Sequence, residues 1–279
     1  MPDIALFELK LRGGLADRHV MEGFDGYNAL AGAAYTLALV ANYVETGVIR
    51  YKGQFIGRHI VLAEPIAQGS ILTKFKVLLT GDAEQVFNIP EANSESLLYG
   101  LVRRVIQRNL GLPADPLNTE TEALLENRAG EVEELVLAVE PSLRRAHDAI
   151  GPSAGQIEWT GGFSTMGTLD PATKEYLKAS IPEGIPMTQD VTVRGFYGNT
   201  GRGLIYDPTI DRNISVSMRK ETLAAIGRVF SYGLDQYLNR TGNTIRIEFT
   251  RFLSSDGRPK HYVITGARAT RMLTPSRPV

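Results

Sequence analysis

The chain has 279 residues, 43% of them apolar and 22% charged, with a net charge of −1 and no cysteine. Those totals describe a globular protein of one large or two modest domains, and they exclude disulfides, thiolate nucleophiles and cysteine-ligated zinc. The near-zero net charge conceals a division: residues 191–279 hold 14 lysines and arginines against 6 acids, and residues 1–190 hold 16 against 25.

Residues 4–12, IALFELKLR, alternate apolar and polar, the period of a half-buried strand. Gly13-Gly14 breaks the run, and ADRHVMEGF, residues 16–24, is expected to return as a second strand. The opening residues lack the basic, apolar, small-residue order of a signal peptide, which points to the cytoplasm. Asp25 is placed to cap a helix ending near Gly47. From Tyr27 to Val44, 18 positions carry no charge, the lower edge of a membrane-spanning length. The stretch is mainly alanine with Asn28, Thr36 and Asn42, so a helix buried on most sides is expected and no membrane span. VIRYKG, HIVLAEPI and SILTKFKVLL follow, the last alternating at Ile71, Thr73, Phe75 and Val77, and together these segments read as a β-β-α-β-β module over residues 1–82.

Residues 83–150 read as a helical segment packed on that module. In NSESLLYGLVRRVIQRNLG, Leu97, Leu98, Leu101, Val102, Val105 and Ile106 recur at helical spacing, with Asn93 or Ser94 as cap and Gly111 as stop. A second helical region runs from Thr119 to Ile150, kinked or divided by Pro141. Residues 151–190 are rich in Gly, Pro, Ser and Thr and are expected to be a linker with one short helix at 171–179. Beyond it, DVTVRGFYG, RGLIYD, NISVSM, TIRIEFTRFL and HYVITGARA read as strands around a helix at 220–240. The fold class is therefore α+β, with residues 191–279 forming a small SH3- or OB-like barrel.

Four glycines between 195 and 203 raise the question of a phosphate loop, but no lysine follows them and no helix starts there. A hairpin turn explains GNTGRG better. The candidate binding residues are Arg194, Arg202, Arg212, Arg228, Arg246, Arg251, Arg258 and Arg268, because 12 of the 14 cations in 191–279 are arginine. Arginine pairs with phosphate or carboxylate as a planar fork and stacks on bases. Phe196, Tyr197, Tyr206, Phe249, Phe252 and Tyr262 are interleaved with them, the mixture with which small barrels hold single strands. The bland counterpart is that the aromatics fill the barrel core and the arginines dock on the acidic part of the chain.

Catalytic signals are weak. Glu8-x-Lys10 is the tail of a restriction-type nuclease motif without its partner acid on an earlier strand, and GGFSTMG is not a nucleophile elbow. His19, His59, His147 and His261 show no paired metal spacing. His59 and Glu64 read as surface residues, and Trp159 as an anchor for the linker.

Residues 4–80, with ADRHVMEGFDGYNALAGAAYTLALVANYVETGVIRY and AEPIAQGSILTKFKVLL, resemble the N-terminal module of a family of uncharacterised bacterial proteins. Members share a strand pair, a helix rich in small residues and a strand opened by Gly-Ser. The resemblance implies an accessory role in mobile-element or phage-defence settings and carries over no catalytic residue.

The sequence thus points to a non-enzymatic, cytoplasmic, two-module interaction protein with no cofactor or metal, its basic barrel engaging an acidic protein surface. A homo-oligomer is expected, since helix 27–44 carries more apolar surface than one small sheet covers and must meet the helical middle or a second subunit. The alternatives are a binder of single-stranded DNA or RNA through the barrel, and a metal-dependent nuclease or hydrolase whose residues the sequence does not nominate.

Overall fold

Alternation in the first strand decides which side of it is dry. The computed structural model describes residues 3–51, 54–64, 71–80, 86–88 and 94–270. In β1, Asp3–Arg12, the side chains of Ala5, Phe7, Leu9 and Leu11 are buried while Ile4, Leu6 and Arg12 are exposed. Strands β2 (Ile60–Ala63), β3 (Leu72–Leu79), β4 (Gln156–Gly161) and β5 (Ser164–Leu169) complete an antiparallel sheet ordered β2-β3-β1-β4-β5. Phe7 pairs with Phe75 on one side and with Gly161 on the other. A Cβ at Gly161 would stand 2.5 Å from the Phe7 ring, so glycine there makes room for the largest side chain of β1.

Helices α1 (Gly23–Thr46), α2 (Ser94–Leu110), α3 (Thr119–Asn127), α4 (Ala129–Ala146) and α5 (Pro171–Lys178) complete the first of two units, Met1–Lys178. The uncharged stretch lies inside α1. Its apolar surplus is covered within the unit, because Gly32 lets α1 press on α4: a Cβ there would sit 2.5 Å from the Ala146 nitrogen. Thr36 and Ser142 exchange a hydroxyl hydrogen bond of 2.8 Å across the same contact. The helical middle meets α1, so the surplus calls for no second subunit. No helix among the described residues is long and apolar enough to cross a membrane.

Several expectations are corrected. Residues 16–24 are not a strand; Gly14–Arg18 form a 3-10 turn and α1 begins at Gly23. Asp25 therefore lies in the first turn of α1, where its charge meets the helix dipole, and Glu22 is the cap residue. Residues 48–51 of VIRYKG form no strand, and Lys52 and Gly53 lie outside the described residues, as does Asn93. Pro141 stands inside α4, exposed, and the helical region divides at Arg128 instead. The largest correction concerns residues 151–190. They contain β4, β5, α5, the two-residue β6 (Ile181–Pro182) and the start of β7, and the unit boundary falls between Lys178 and Ala179. Asp170 and Thr173 cap α5 reciprocally at 2.8 Å in each direction. Trp159 is fully buried on β4, in the sheet core rather than on a linker.

The second unit, Ala179–Val279, holds β7 (Met187–Tyr197), β8 (Arg202–Asp207), β9 (Arg212–Met218), α6 (Lys220–Leu238), β10 (Ile245–Leu253) and β11 (Pro259–Ala269). β7, β8 and β9 form a meander; β10 and β11 form a hairpin. β7 pairs with β10 antiparallel and β9 with β11 parallel, which closes a five-stranded barrel. A meander, a helix, then a hairpin whose last strand lies parallel to the third is the Greek-key order of an OB-type barrel. Its core is Val191, Val193, Ile205, Ile214, Val216, Ile245 and their neighbours, with Phe230 of α6 fully buried against it.

Candidate nucleic-acid interface

The eight arginines separate into distinct environments. Arg246 is gripped by Asp190 at 2.8 and 2.6 Å, and Arg251 by Glu183 at 2.5 and 2.8 Å. Arg258 meets Asp256 at 3.0 Å across the β10–β11 turn. Arg212 is buried and donates to the Pro259 carbonyl at 2.7 Å. The hydrogen bonds from Arg246 and Arg251 keep the Asp190 and Glu183 carboxyls below their ordinary range. Glu183 and Asp190 are the two acids that the linker reading had left outside the barrel. With them inside, the unit carries 14 cations against 8 acids.

Arg194, Arg202, Arg228 and Arg268 are exposed and make no ion pair among the described residues. Two of them share a surface. In β8 the pleat sends Ile205 and Asp207 inward and Arg202, Leu204 and Tyr206 outward. A bulge between Val193 and Gly195 of β7 accompanies the outward turn of Arg194, whose guanidinium lies 4.6 Å from the Tyr206 ring centre and 5.8 Å from that of Tyr237. The Tyr206 hydroxyl donates to Asp211, and that bond, with some burial, raises the phenol's pKa, so the ring stays neutral. Tyr197, 67% exposed, pairs with Arg202 at the hairpin end. The glycine-rich stretch between 195 and 203 is that hairpin: Gly201 has φ 64°, and its N–H donates to the Tyr197 carbonyl at 2.9 Å.

The surface continues onto β9 and β11. Ser217 stands opposite Arg202 and Ser215 opposite Leu204, while His261 of β11 stands beside Ser215. The imidazole lies between the two hydroxyls, with Nδ1 2.9 Å from Ser215 Oγ and Nε2 2.6 Å from Ser217 Oγ. Burial, then the nearby Arg202 charge, lowers the His261 pKa. Sequence reasoning missed both serines. N-x-S-x-S in β9 does put two hydroxyls on one face, but only the parallel β9–β11 pairing brings the histidine to them. Of the six aromatics, Phe249 and Tyr262 fill the core, stacked at 4.3 Å, and Phe196 packs on Phe230 at 5.5 Å. Phe252 is half-buried.

This barrel lies outside the matched region. Residues 7–178 match a family model described as Domain of unknown function (DUF7946). The chain belongs to that family. The match ends at Lys178, where the first unit ends, so the family domain is the helix-covered sheet and the barrel lies outside it. No curated protein and no solved structure matches the chain.

Within the family domain the other candidates are structural. Glu8 is paired with Lys74 at 3.4 Å on the open face of the sheet. His59 is not a surface residue: it is bound to Glu45, while Glu64 pairs with Lys76. His147 is a core histidine between the Leu143 carbonyl and Thr173, its pKa lowered by burial. A cleft of about 330 Å³ among α2, α3 and α4 has Leu125 and Val132 in its wall, and its arginines, Arg104 and Arg108, are already bound to Glu122 and Glu133. Among the described residues no group of three or more His, Asp or Glu could hold a metal ion.

Proposed function

We propose that the protein is a non-enzymatic binding protein whose barrel takes single-stranded nucleic acid across β7, β8 and β9. The observation that carries this reading is the exposed pair Arg194 and Arg202 flanking Leu204 and Tyr206, with Tyr197 exposed at the hairpin end. Bases stack on exposed rings and on guanidinium planes, and the cations follow the phosphates. The β8–β9 face and the neighbouring hairpin loops are where OB-type barrels take oligonucleotides. The resemblance of residues 4–80 supports an accessory place for this activity in a mobile-element or phage-defence setting.

An acidic protein surface is the second reading, favoured by the excess of arginine, whose fork suits carboxylates as well as phosphates. Fluorescence anisotropy of the full chain with a thymidine oligomer, an RNA of equal length and a polyglutamate peptide separates the two. The nucleic-acid reading expects binding at low salt that falls with a slope of about −0.7 per phosphate contact in log affinity against log salt. It also expects Tyr206→Ala with Arg194→Ala to weaken binding by about tenfold or more. Binding of polyglutamate but of neither oligomer sinks it.

A further inference from the structure

We propose that Ser215, Ser217, His261 and Arg202 form a receiving site for one phosphate group of the bound strand, and that the site takes up a proton as the phosphate enters. The inference rests on the nucleic-acid reading of the barrel face and deepens it by naming the group recognised. All four side chains lie on the outer surface of adjacent strands, Arg202 exposed and the other three half-buried. Arg202 stands directly opposite Ser217 in the β8–β9 register, so its guanidinium and the Ser217 hydroxyl address the same anion.

The proton count gives the site its character. With the imidazole neutral, one ring nitrogen donates and the other accepts. If Nε2–H donates to Ser217 Oγ, Nδ1 must accept from Ser215, and the one hydroxyl proton free to meet a ligand is that of Ser217. In the other tautomer Ser217 donates to Nε2, Nδ1–H donates to Ser215, and the free proton is that of Ser215, whose alternative acceptor is the Lys260 carbonyl at 3.4 Å. An anion held by Arg202 selects the first tautomer. Protonating the ring makes both nitrogens donors and frees both hydroxyl protons at once, adding a positive charge to a site that already receives an anion. Arg202 of β8 is the charged group facing the ring. From β9 it meets the two hydroxyls, and from β10 its cross-strand neighbour is Phe252. Lys260, next on its own strand, directs its ammonium to the Ala179 carbonyl at 3.2 Å.

The sign follows from linkage. Burial and Arg202 hold the His261 pKa below its ordinary value in the free protein, and an anion beside the ring raises it. Anion affinity must therefore increase as pH falls through the pKa of the bound state towards that of the free state. Sulfate is the probe, because it keeps its two charges throughout. The experiment titrates sulfate into the full chain and follows the His261 ring resonance, assigned with His261→Gln. Binding should tighten about fivefold or more as pH is lowered from about 7.5 to about 5.5, across the ordinary imidazole range. His261→Gln should abolish the pH dependence, and Ser217→Ala should weaken sulfate about tenfold. Equal sulfate affinity in Ser217→Ala and the parent chain, or pH dependence that survives His261→Gln, overturns the site. Oligonucleotide binding that ignores Ser217→Ala overturns it as well and leaves the barrel reading standing. Sulfate binding with this pH dependence in a protein that takes no oligonucleotide upholds the site and assigns the phosphate to another bearer.

Discussion

The two units treat their cations differently. In the family domain, Arg103, Arg104, Arg108 and Arg144 on α2 and α4 meet Asp115, Glu122, Glu133 and Glu140 at 2.5 to 2.8 Å. In the barrel, Arg246, Arg251 and Arg258 are matched in the same way, but the outward row of β7 and β8 is not. A count of charges therefore overstates the binding surface, and the position of the carboxylates locates it. The units differ as well in what holds them together. The first buries a sheet under several helices, while the barrel relies on a dozen buried apolar residues.

The contrast in core size carries the largest expected effect. Phe230 is the one large side chain that α6 buries completely, and it meets Phe196 at 5.5 Å. Phe230→Ala should cost about 3–5 kcal/mol, because so small a core cannot collapse into the space left. Trp159, the only tryptophan, is buried in the first unit and reports that unit alone by fluorescence. In urea, the circular dichroism transition should shift to lower denaturant while the Trp159 transition stays in place. Equal shifts in both would mean that the units unfold as one block.

A smaller effect is expected inside the family domain, at Glu45. Its carboxylate accepts from the Thr80 and His59 backbone N–H groups, both at 2.8 Å, and lies 3.3 Å from His59 Nδ1, so one buried side chain on α1 holds two loops. Burial works to raise this carboxyl, but the hydrogen bonds from the His59 ring, Thr80 and the His59 backbone outweigh it and leave the pKa below the ordinary 4.5. A lowered carboxyl pKa adds stability that is present above the unfolded value and disappears as pH falls through the folded one. Trp159-detected stability should therefore decline below about pH 4.5, the ordinary carboxylate range. In Glu45→Gln the stability should be lower by about 1–3 kcal/mol at neutral pH, since the amide cannot accept from every donor, and that part of the acid dependence should vanish.

The elements of the barrel were legible because each strand and its turn are local: alternation marks β7 to β11, and the glycines of GNTGRG mark the hairpin. The closing β9–β11 pair was not, because it joins residues 44 to 46 positions apart, as Ser217 and His261 show. Composition hid β4 and β5, although they form a tight hairpin with Gly161 opposite Ser164. Glycine, serine and threonine in 151–170 resemble a linker in sequence, yet Gly161 is small because Phe7 lies against it. In the arginine set, residue type nominated Arg194 and Arg202, which are exposed in the structure. It could not separate them from Arg246 and Arg251, whose partners Asp190 and Glu183 come from other strands or the segment beside them.

The smallest expected effect tests that separation directly. Arg246 is bound through two nitrogens to Asp190, and both side chains are partly solvated, so the pair adds little to stability. A guanidinium committed in this way has its Nε and one Nη2 proton occupied and its charge matched by the adjacent carboxylate, so a passing phosphate gains little net attraction from it. Arg246→Met should therefore leave the salt slope of oligonucleotide binding unchanged, whereas Arg202→Ala should reduce it by about 0.7, the share of one released counterion. Anisotropy titrations of the two variants across the same salt range make the comparison. Equal losses would mean that total positive charge, and not the unmatched row on β7 and β8, attracts the strand.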